Sequence, residues 1–129
     1  MIAKIDREII WNGRKSLDHT WFHPRACLVP ARPRPYVLMT LQHVTGSDIF
    51  HQVHWTISTD MGKTWSRPQP IPAFARIRLP DGTDDGVCDV VPEYHPQTNT
   101  VLAMGHNVYY RNDRLVRPSD GRYPVYAVR

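Results

Sequence analysis

The sequence predicts an all-β fold, arranged as a β-propeller with about two blades in its 129 residues. Short runs of β-branched and aromatic residues recur between turns that are rich in Pro, Gly, Asn and Asp. Twelve prolines and seven glycines leave few stretches in which a helix of about ten residues could form. The third observation is an internal repeat, which is how the sheets of a propeller are encoded.

The predicted strands follow in chain order, and each is bounded by residues that favour tight turns. The first copy of the repeat has strands at 26–30, 36–44 and 51–58. The second copy has strands at 86–91, 100–110 and 123–129, and an N-terminal strand is predicted at 7–12. These strands give a first blade at about 20–76 and a second blade at about 86–129.

The repeat rests on apolar positions that recur at a fixed offset. Three positions recur after 64 residues: Val37, Leu38 and Val44 fall on Val101, Leu102 and Val108. The Val-Pro pairs at 29–30 and 91–92 match at an offset of 62. Since propellers close with roughly four to eight blades, the chain is predicted to be part of a larger propeller. Its uncovered sheet faces are predicted to promote self-association.

The bulk composition argues against several partners. The formal net charge is +4, and no run of like charges predicts a nucleic-acid-binding arm. Charges near the N-terminus interrupt the apolar core that a secretory signal needs, and no apolar run is long enough to cross a membrane. As written, the sequence predicts a cytoplasmic chain without a membrane partner. Cys27 and Cys88 are predicted to be buried free thiols rather than a disulfide.

The stretch STDMGKTW, residues 58–65, combines turn chemistry with an indole. Ser58 and Asp60 can accept hydrogen bonds from turn amides, and Gly62 can take the positive φ of a tight reversal. Thr64 and Trp65 then resume extended structure. Asp60 could be a catalyst, a calcium ligand or a structural residue. The structural interpretation is favoured because no second acidic ligand lies nearby in the sequence.

This stretch resembles the Asp-box of sialidases and related bacterial-neuraminidase-repeat proteins at each of its defining positions, Ser58, Asp60, Gly62, Thr64 and Trp65. In that superfamily the motif is a structural hairpin remote from the active site. The resemblance extends over nearly the whole chain, which is similar to the N-terminal part of a six-bladed sialidase propeller. It therefore implies a glycan substrate and no cofactor.

The resemblance also assigns residues to a site. HPRACLVP stands where sialidases carry an Arg-Ile-Pro motif, so Arg25 would be the first of three arginines that bind the substrate carboxylate. The alternative is a surface arginine in a turn after His23-Pro24.

The resemblance also suggests an acid/base. Asp48 lies in the loop where sialidases carry theirs, and the alternative is an ordinary turn aspartate. Gln42 and His43 stand where a second arginine is usual, which leaves an uncharged sugar open.

In the second copy, the resemblance suggests Asp89 as a ligand of the sugar, with a plain loop carboxylate as the alternative. His106 follows Gly105 near a strand end and is a candidate for binding sugar hydroxyls, although a histidine satisfied within a β-turn would serve structure alone. The acidic residues at 81–93 have no accompanying paired-histidine motif, so no metal site is predicted.

Two functions are compatible with the sequence. The first is a sialidase-like glycoside hydrolase that removes a terminal sugar, sialic acid being one candidate. The second is a non-catalytic Asp-box propeller that binds glycan or protein. Because the nucleophile and the other arginines of the resembled family come from later blades, the 129-residue chain by itself is predicted to have no turnover.

Overall fold

A computed structural model describes residues 4–11, 20–46, 48–117 and 126–128. These residues form two antiparallel sheets, and their only helical element is a short 3-10 turn at Pro72–Phe74. The all-β prediction is therefore confirmed.

The first sheet is a meander whose four strands lie side by side in chain order. Its strands are β1 (Thr20–Val29), β2 (Tyr36–Thr45), β3 (Ile49–Ser58) and β4 (Gln69–Pro70). The strand predicted at 26–30 begins earlier, at Thr20, because the residues before it pair with the end of β2.

The second sheet has five strands, of which two are long. They are β5 (Ile77–Arg78), β6 (Asp84–His95), β7 (Thr100–Arg111), β8 (Arg114–Leu115) and β9 (Tyr126–Val128). The order is β5-β6-β7-β8, and β9 also pairs with β7. This sheet begins before the predicted limit at residue 86 because β5 pairs with the start of β6.

The N-terminal strand predicted at 7–12 is not present in the described residues. Residues 7–11 join neither sheet, and residue 12 lies outside the described ranges. A strand needs a partner edge, whereas residues 8–11 line a groove with Met39 and Leu41 of the first sheet. The Trp11 ring lies 6.2 Å from the Trp21 ring and 6.5 Å from the Trp65 ring.

The internal repeat is visible in the strands but not in every matched residue. Strands β2 and β7 begin at Tyr36 and Thr100, which are separated by the offset of 64 residues found in the sequence. The Val-Pro match fails, because Val29 pairs with the first residue of β2 whereas Val91 pairs with Met104 in the middle of β7. Strand pairing, rather than local similarity, thus defines the equivalent positions.

The two sheets pack together through β6, which contacts β1, β2 and β3. Two buried apolar clusters lie between the sheets. One contains Phe50, Cys88, Val108 and Tyr110, and the other contains Val53, Phe74, Val87 and Val90.

Buried polar side chains of β2 also join the sheets. The Thr40 hydroxyl donates to the Val90 carbonyl at 2.5 Å, and the Gln42 amide donates to the Val87 carbonyl at 2.6 Å. Both carbonyls belong to β6. These bonds fix how β6 lies on the first sheet, since a buried carbonyl left without a donor costs about 1–3 kcal/mol.

The second sheet leaves an apolar surface in solvent. Val91 and Met104 are paired neighbours on it, and Leu102 lies further along β7. All three are about half exposed; Met104, which its apolar character would place in a core, is 46% exposed. Self-association through such a surface stays a prediction.

Candidate functional site

The Ser58–Trp65 turn is held by its own side chains. Asp60 accepts hydrogen bonds from the Thr64 amide at 2.8 Å and from the Thr64 hydroxyl at 2.6 Å. The Ser58 hydroxyl donates to Asp60 at 2.8 Å and accepts from the Gly62 amide at 2.7 Å. The Trp65 indole donates to the Gly62 carbonyl at 3.0 Å. The side chains of Ser58, Asp60, Thr64 and Trp65 and the backbone of Gly62 are thus all bonded within the turn.

These bonds change the chemistry of Asp60. Hydrogen bonds from the Thr64 hydroxyl, the Thr64 amide and the Ser58 hydroxyl lower the pKa of Asp60 from 3.8 to about 2. The backbone reverses through positive φ angles of 58° at Met61 and 95° at Gly62. A carboxylate held this firmly as an acceptor is unsuited to donating a proton, which argues against a catalytic Asp60.

Asp48 lies in the hairpin between β2 and β3, and the second sheet fixes this hairpin. The Tyr110 hydroxyl donates to the Asp48 carbonyl at 2.8 Å and accepts from the Phe50 amide at 3.0 Å. Tyr110 is fully buried. Asp48 itself has a φ of 60° and is exposed. The hairpin therefore presents the Asp48 side chain to solvent from an anchored backbone.

Arg76 supports the same hairpin from the chain between the sheets. Its guanidinium donates to the Phe50 carbonyl from Nε at 3.1 Å and from Nη2 at 2.6 Å. It also lies 4.1 Å from the centre of the Tyr110 ring, a cation–π contact, and forms an ion pair with Asp113 at 2.8 Å. The guanidinium of Arg76 thus stabilises the hairpin through the Phe50 carbonyl.

Equivalent β-bulges interrupt the first long strand of each sheet. In β1 the bulge follows Phe22, which pairs with Gln42; in β6 it follows Cys88, which pairs with His106. The residues that enter the bulges are His23 and Asp89, with φ angles of 49° and 51°. By strand pairing, the counterpart of Asp89 is therefore His23. Strand β6 thus corresponds to β1, the strand that carries Arg25, and Asp89 lies in the middle of β6.

The bulges bring Arg25 and Asp89 into contact. Arg25 Nη2 lies 2.7 Å from Asp89 Oδ1, and the two side chains are 41% and 32% exposed. A glycine makes the β6 bulge sterically feasible: a Cβ on Gly105 would lie 2.7 Å from the Cys88 carbonyl oxygen. Two of the predicted site residues, which come from different sheets, thus form one ion pair. Both side chains are partly exposed, although the Asp89 Oδ1 atom is buried.

Two further predicted site residues, His106 and Asp48, lie near Cys88, the residue that precedes Asp89 in β6. The Cys88 Sγ lies 3.0 Å from His106 Nε2. Burial raises the pKa of the Cys88 thiol to about 12, with further contributions from the nearby carboxylates of Asp89 and Asp48. The thiol is therefore protonated and not nucleophilic. Of the four predicted site residues, Arg25 and Asp89 are thus in contact. His106 contacts the adjacent Cys88, and Asp48 is near enough for its carboxylate to raise the pKa of that thiol.

His23 belongs to the same cluster and was missed by the sequence predictions. Its ring stacks on Phe50 with centroids 5.2 Å apart, and its buried Nδ1 atom has no hydrogen-bond partner among the described residues. Burial lowers the pKa of His23, with opposing effects from Asp89 and Arg25. A histidine before a proline gave no signal of this role, because the bulge becomes visible only when β1 is paired.

Gln42 does not take the place of a ligand-binding arginine. It is only 1% exposed, and its amide donates to the carbonyls of His51 and Val87 at 2.5 and 2.6 Å. The neighbouring His43 packs against the Trp21 ring with centroids 3.8 Å apart. Position 42 therefore serves to pack the sheets together.

The two cysteines are free thiols, as predicted, although only Cys88 is buried and Cys27 is half-buried. Over the described ranges, no three His, Cys, Asp or Glu side chains are grouped in a way that could hold a metal ion. In the same ranges there is no helix of the length and apolarity needed to span a membrane.

Comparisons with protein-family profiles, with curated proteins and with solved structures found no match to this chain. The function must therefore be inferred from the side chains themselves.

Proposed function

We propose that the cluster around Arg25 and Asp89 binds the terminal sugar of a glycan, and that the chain is part of a sialidase-like propeller glycosidase with Asp48 as its acid/base. The observation that carries the proposal is the ion pair between Arg25 and Asp89 at 2.7 Å, which joins two sheets and stays partly exposed. Charged groups that are fixed and yet open to solvent are a common basis for recognising polar ligands.

Asp48 suits an acid/base role in its placement. Its backbone is anchored by the Tyr110 hydroxyl, its side chain is exposed, and its carboxylate raises the pKa of Cys88, the neighbour of Asp89. General acid catalysis needs a carboxyl group held within hydrogen-bond reach of the glycosidic oxygen. The exposed hairpin gives a substrate access to this carboxyl group.

A nucleophile is not supplied by the tyrosine that contacts this hairpin. Tyr110 is fully buried, and burial raises the pKa of its hydroxyl. We therefore expect the 129-residue chain to bind sugar without cleaving it. Release of the fluorescent aglycone from an aryl glycoside by this chain would contradict that expectation.

The binding step is tested on the 129-residue chain with a glycan array and NMR titration. Arg25→Met should weaken sugar binding at least about tenfold, since it removes a charged hydrogen-bond donor. Arg34→Met, in the exposed loop between β1 and β2, is the matched control and should leave binding unchanged. Equal effects of the two substitutions would argue against this site.

The catalytic step is tested on the natural protein with a panel of aryl glycosides. Asp48→Asn should lower cleavage at least about 100-fold, the usual contribution of a general acid/base. Cleavage at the unsubstituted rate would remove Asp48 from that role.

A non-catalytic propeller that binds glycan or protein is the second candidate. The burial of Gln42 favours it, because the position at which the resembled family uses a second arginine is occupied here by a residue that packs the sheets. Sugar binding by the natural protein without cleavage of any aryl glycoside would select this candidate.

A further inference from the structure

We propose that the Arg25 and Asp89 pair selects an uncharged, hydroxyl-bearing sugar over a sugar acid. The inference rests on the proposed function in so far as the site must bind a sugar at all. It goes further by naming the class of sugar, and it departs from the carboxylate-bearing substrate that the resemblance to sialidases implies.

The first argument is the charge on Arg25. Its Nη2 atom already lies 2.7 Å from Asp89 Oδ1. A ligand carboxylate would have to share the guanidinium with Asp89 and would meet a like charge at close range. The ion pair therefore removes most of the attraction that a single exposed arginine would exert on an anion.

The second argument is the surroundings of the pair. Ionisable groups near the Arg25–Asp89 pair include His23, His106, Cys88 and Asp48. Cys88 is neutral because burial raises its pKa to about 12, and His23 tends to be neutral because burial lowers its pKa. Asp48, the proposed acid/base, brings another carboxyl group to the Cys88 side of the pair. Neither Cys88 nor His23 therefore adds a fixed positive charge that would favour an anionic ligand.

The third argument is that two positions that could have supplied a second cation do not do so. Arg76 donates to the Phe50 carbonyl and pairs with Asp113. Gln42, where a second arginine could have stood, is buried and bonded to the Val87 carbonyl. A carboxylate would thus be bound by one compensated arginine.

A neutral sugar meets groups that suit it better. A hydroxyl can accept from the guanidinium of Arg25 and donate to the Asp89 carboxylate, so the sugar can bind without breaking the ion pair. The Phe22 ring lies 4.4 Å from the His23 ring and is 46% exposed. It offers an apolar surface for the carbon face of a sugar ring.

The test compares matched pairs of probes by NMR titration of the 129-residue chain. Methyl glucoside and methyl glucuronide differ only in a hydroxymethyl or carboxylate group at C6, as do methyl galactoside and methyl galacturonide; methyl sialoside is a fifth probe. We expect a neutral glycoside to bind about tenfold more tightly than its uronide, a modest ratio because exposed charges are screened by water and salt.

Asp89→Asn tests the cause of the preference. Asparagine tolerates the positive φ at this position, so folding should be retained, as circular dichroism can check. Because Arg25 would then lack its carboxylate partner, the ratio of the affinity for the neutral glycoside to that for its uronide should fall by about tenfold, or the uronide should bind more tightly. Asp84→Asn, which breaks the ion pair with Arg78 elsewhere in the second sheet, is the matched control and should leave the preference unchanged.

The outcomes separate the two proposals. Tighter binding of a uronide or of the sialoside by the unsubstituted chain would overturn the preference for neutral sugars while supporting the proposed sugar site. An unchanged preference in Asp89→Asn would also overturn it, because the ion pair would not be its cause. Absence of binding to all five probes would argue against both proposals.

Discussion

Two turns adjoin β3, one at each end, and they are stabilised in opposite ways. The turn after β3 is closed by hydrogen bonds among Ser58, Asp60, Gly62, Thr64 and Trp65. The hairpin before β3, which carries Asp48, is held by Tyr110 from the second sheet and by Arg76. The turn after β3 therefore depends on its own residues, whereas the hairpin before β3 depends on how the two sheets pack.

The largest expected effect comes from removing the tertiary support of the Asp48 hairpin. Tyr110→Ala deletes a fully buried ring together with the hydroxyl that bonds Asp48 and Phe50. We expect the free energy of unfolding to fall by about 3–5 kcal/mol, as for other buried aromatic residues. Urea denaturation followed by tryptophan fluorescence measures this change.

The control for this substitution is Tyr94→Ala. Tyr94 is only half-buried, and its hydroxyl bonds to Asn99 within the β6–β7 hairpin. A smaller loss of stability is expected there. Equal losses in the two variants would mean that the Asp48 hairpin gains no particular support from the second sheet.

An intermediate loss of stability is expected for Gly105→Ala. This substitution tests the bulge that carries Asp89, which also depends on packing between strands. The new methyl group of Gly105→Ala would lie 2.7 Å from the Cys88 carbonyl and 2.8 Å from Val87 and Val90 side chains. Overpacking of this kind costs about 1–3 kcal/mol. The same urea denaturation should show this loss together with weakened sugar binding, because the bulge must shift.

Gly86→Ala is the matched control within β6. A Cβ at Gly86 would come no closer than 3.4 Å to a neighbour, the side chain of Arg76. It should therefore cost less than Gly105→Ala. The reverse order would show that the close approach at Gly105 does not govern the bulge.

The smallest effect is expected in the self-contained turn at the surface. The pKa of Asp60 is lowered to about 2, so its bonds stabilise the folded state above the ordinary value of 3.8 and lose this contribution as the pH falls through about 2. Asp60→Asn should lower the melting temperature at pH 6, and the difference from the unsubstituted chain should shrink between about pH 4 and pH 2. Thermal melts at several pH values measure it.

A difference in melting temperature that stays constant down to pH 2 would contradict this linkage. Asp6→Asn serves as the control, because Asp6 is an exposed residue in a solvent-exposed ion pair with Lys4. Its substitution should leave the melting temperature nearly unchanged at each pH.

The sequence alone carried the prediction of strands and of the Asp60 turn, because these depend on short-range patterns. Proline spacing and runs of β-branched residues are read directly from neighbouring residues, and the 64-residue offset is found by comparing the sequence with itself. The resemblance also suggested four residues of the candidate site but not His23. What could not be predicted was their contact, since Arg25 and Asp89 are brought together by two bulges whose positions depend on strand pairing.

The sequence by itself therefore determined the all-β character and the closed hydrogen-bond network at Ser58–Trp65, because every group involved lies within a few residues of its partner. The tertiary structure decided the roles of His23, Gln42 and Tyr110, whose partners lie on another strand or in another sheet. Side chains along a strand alternate between the two faces of the sheet, and a bulge shifts this alternation by one residue. Only the pairing with the adjacent strand shows where the bulge lies. The charge balance of the site is set by that placement.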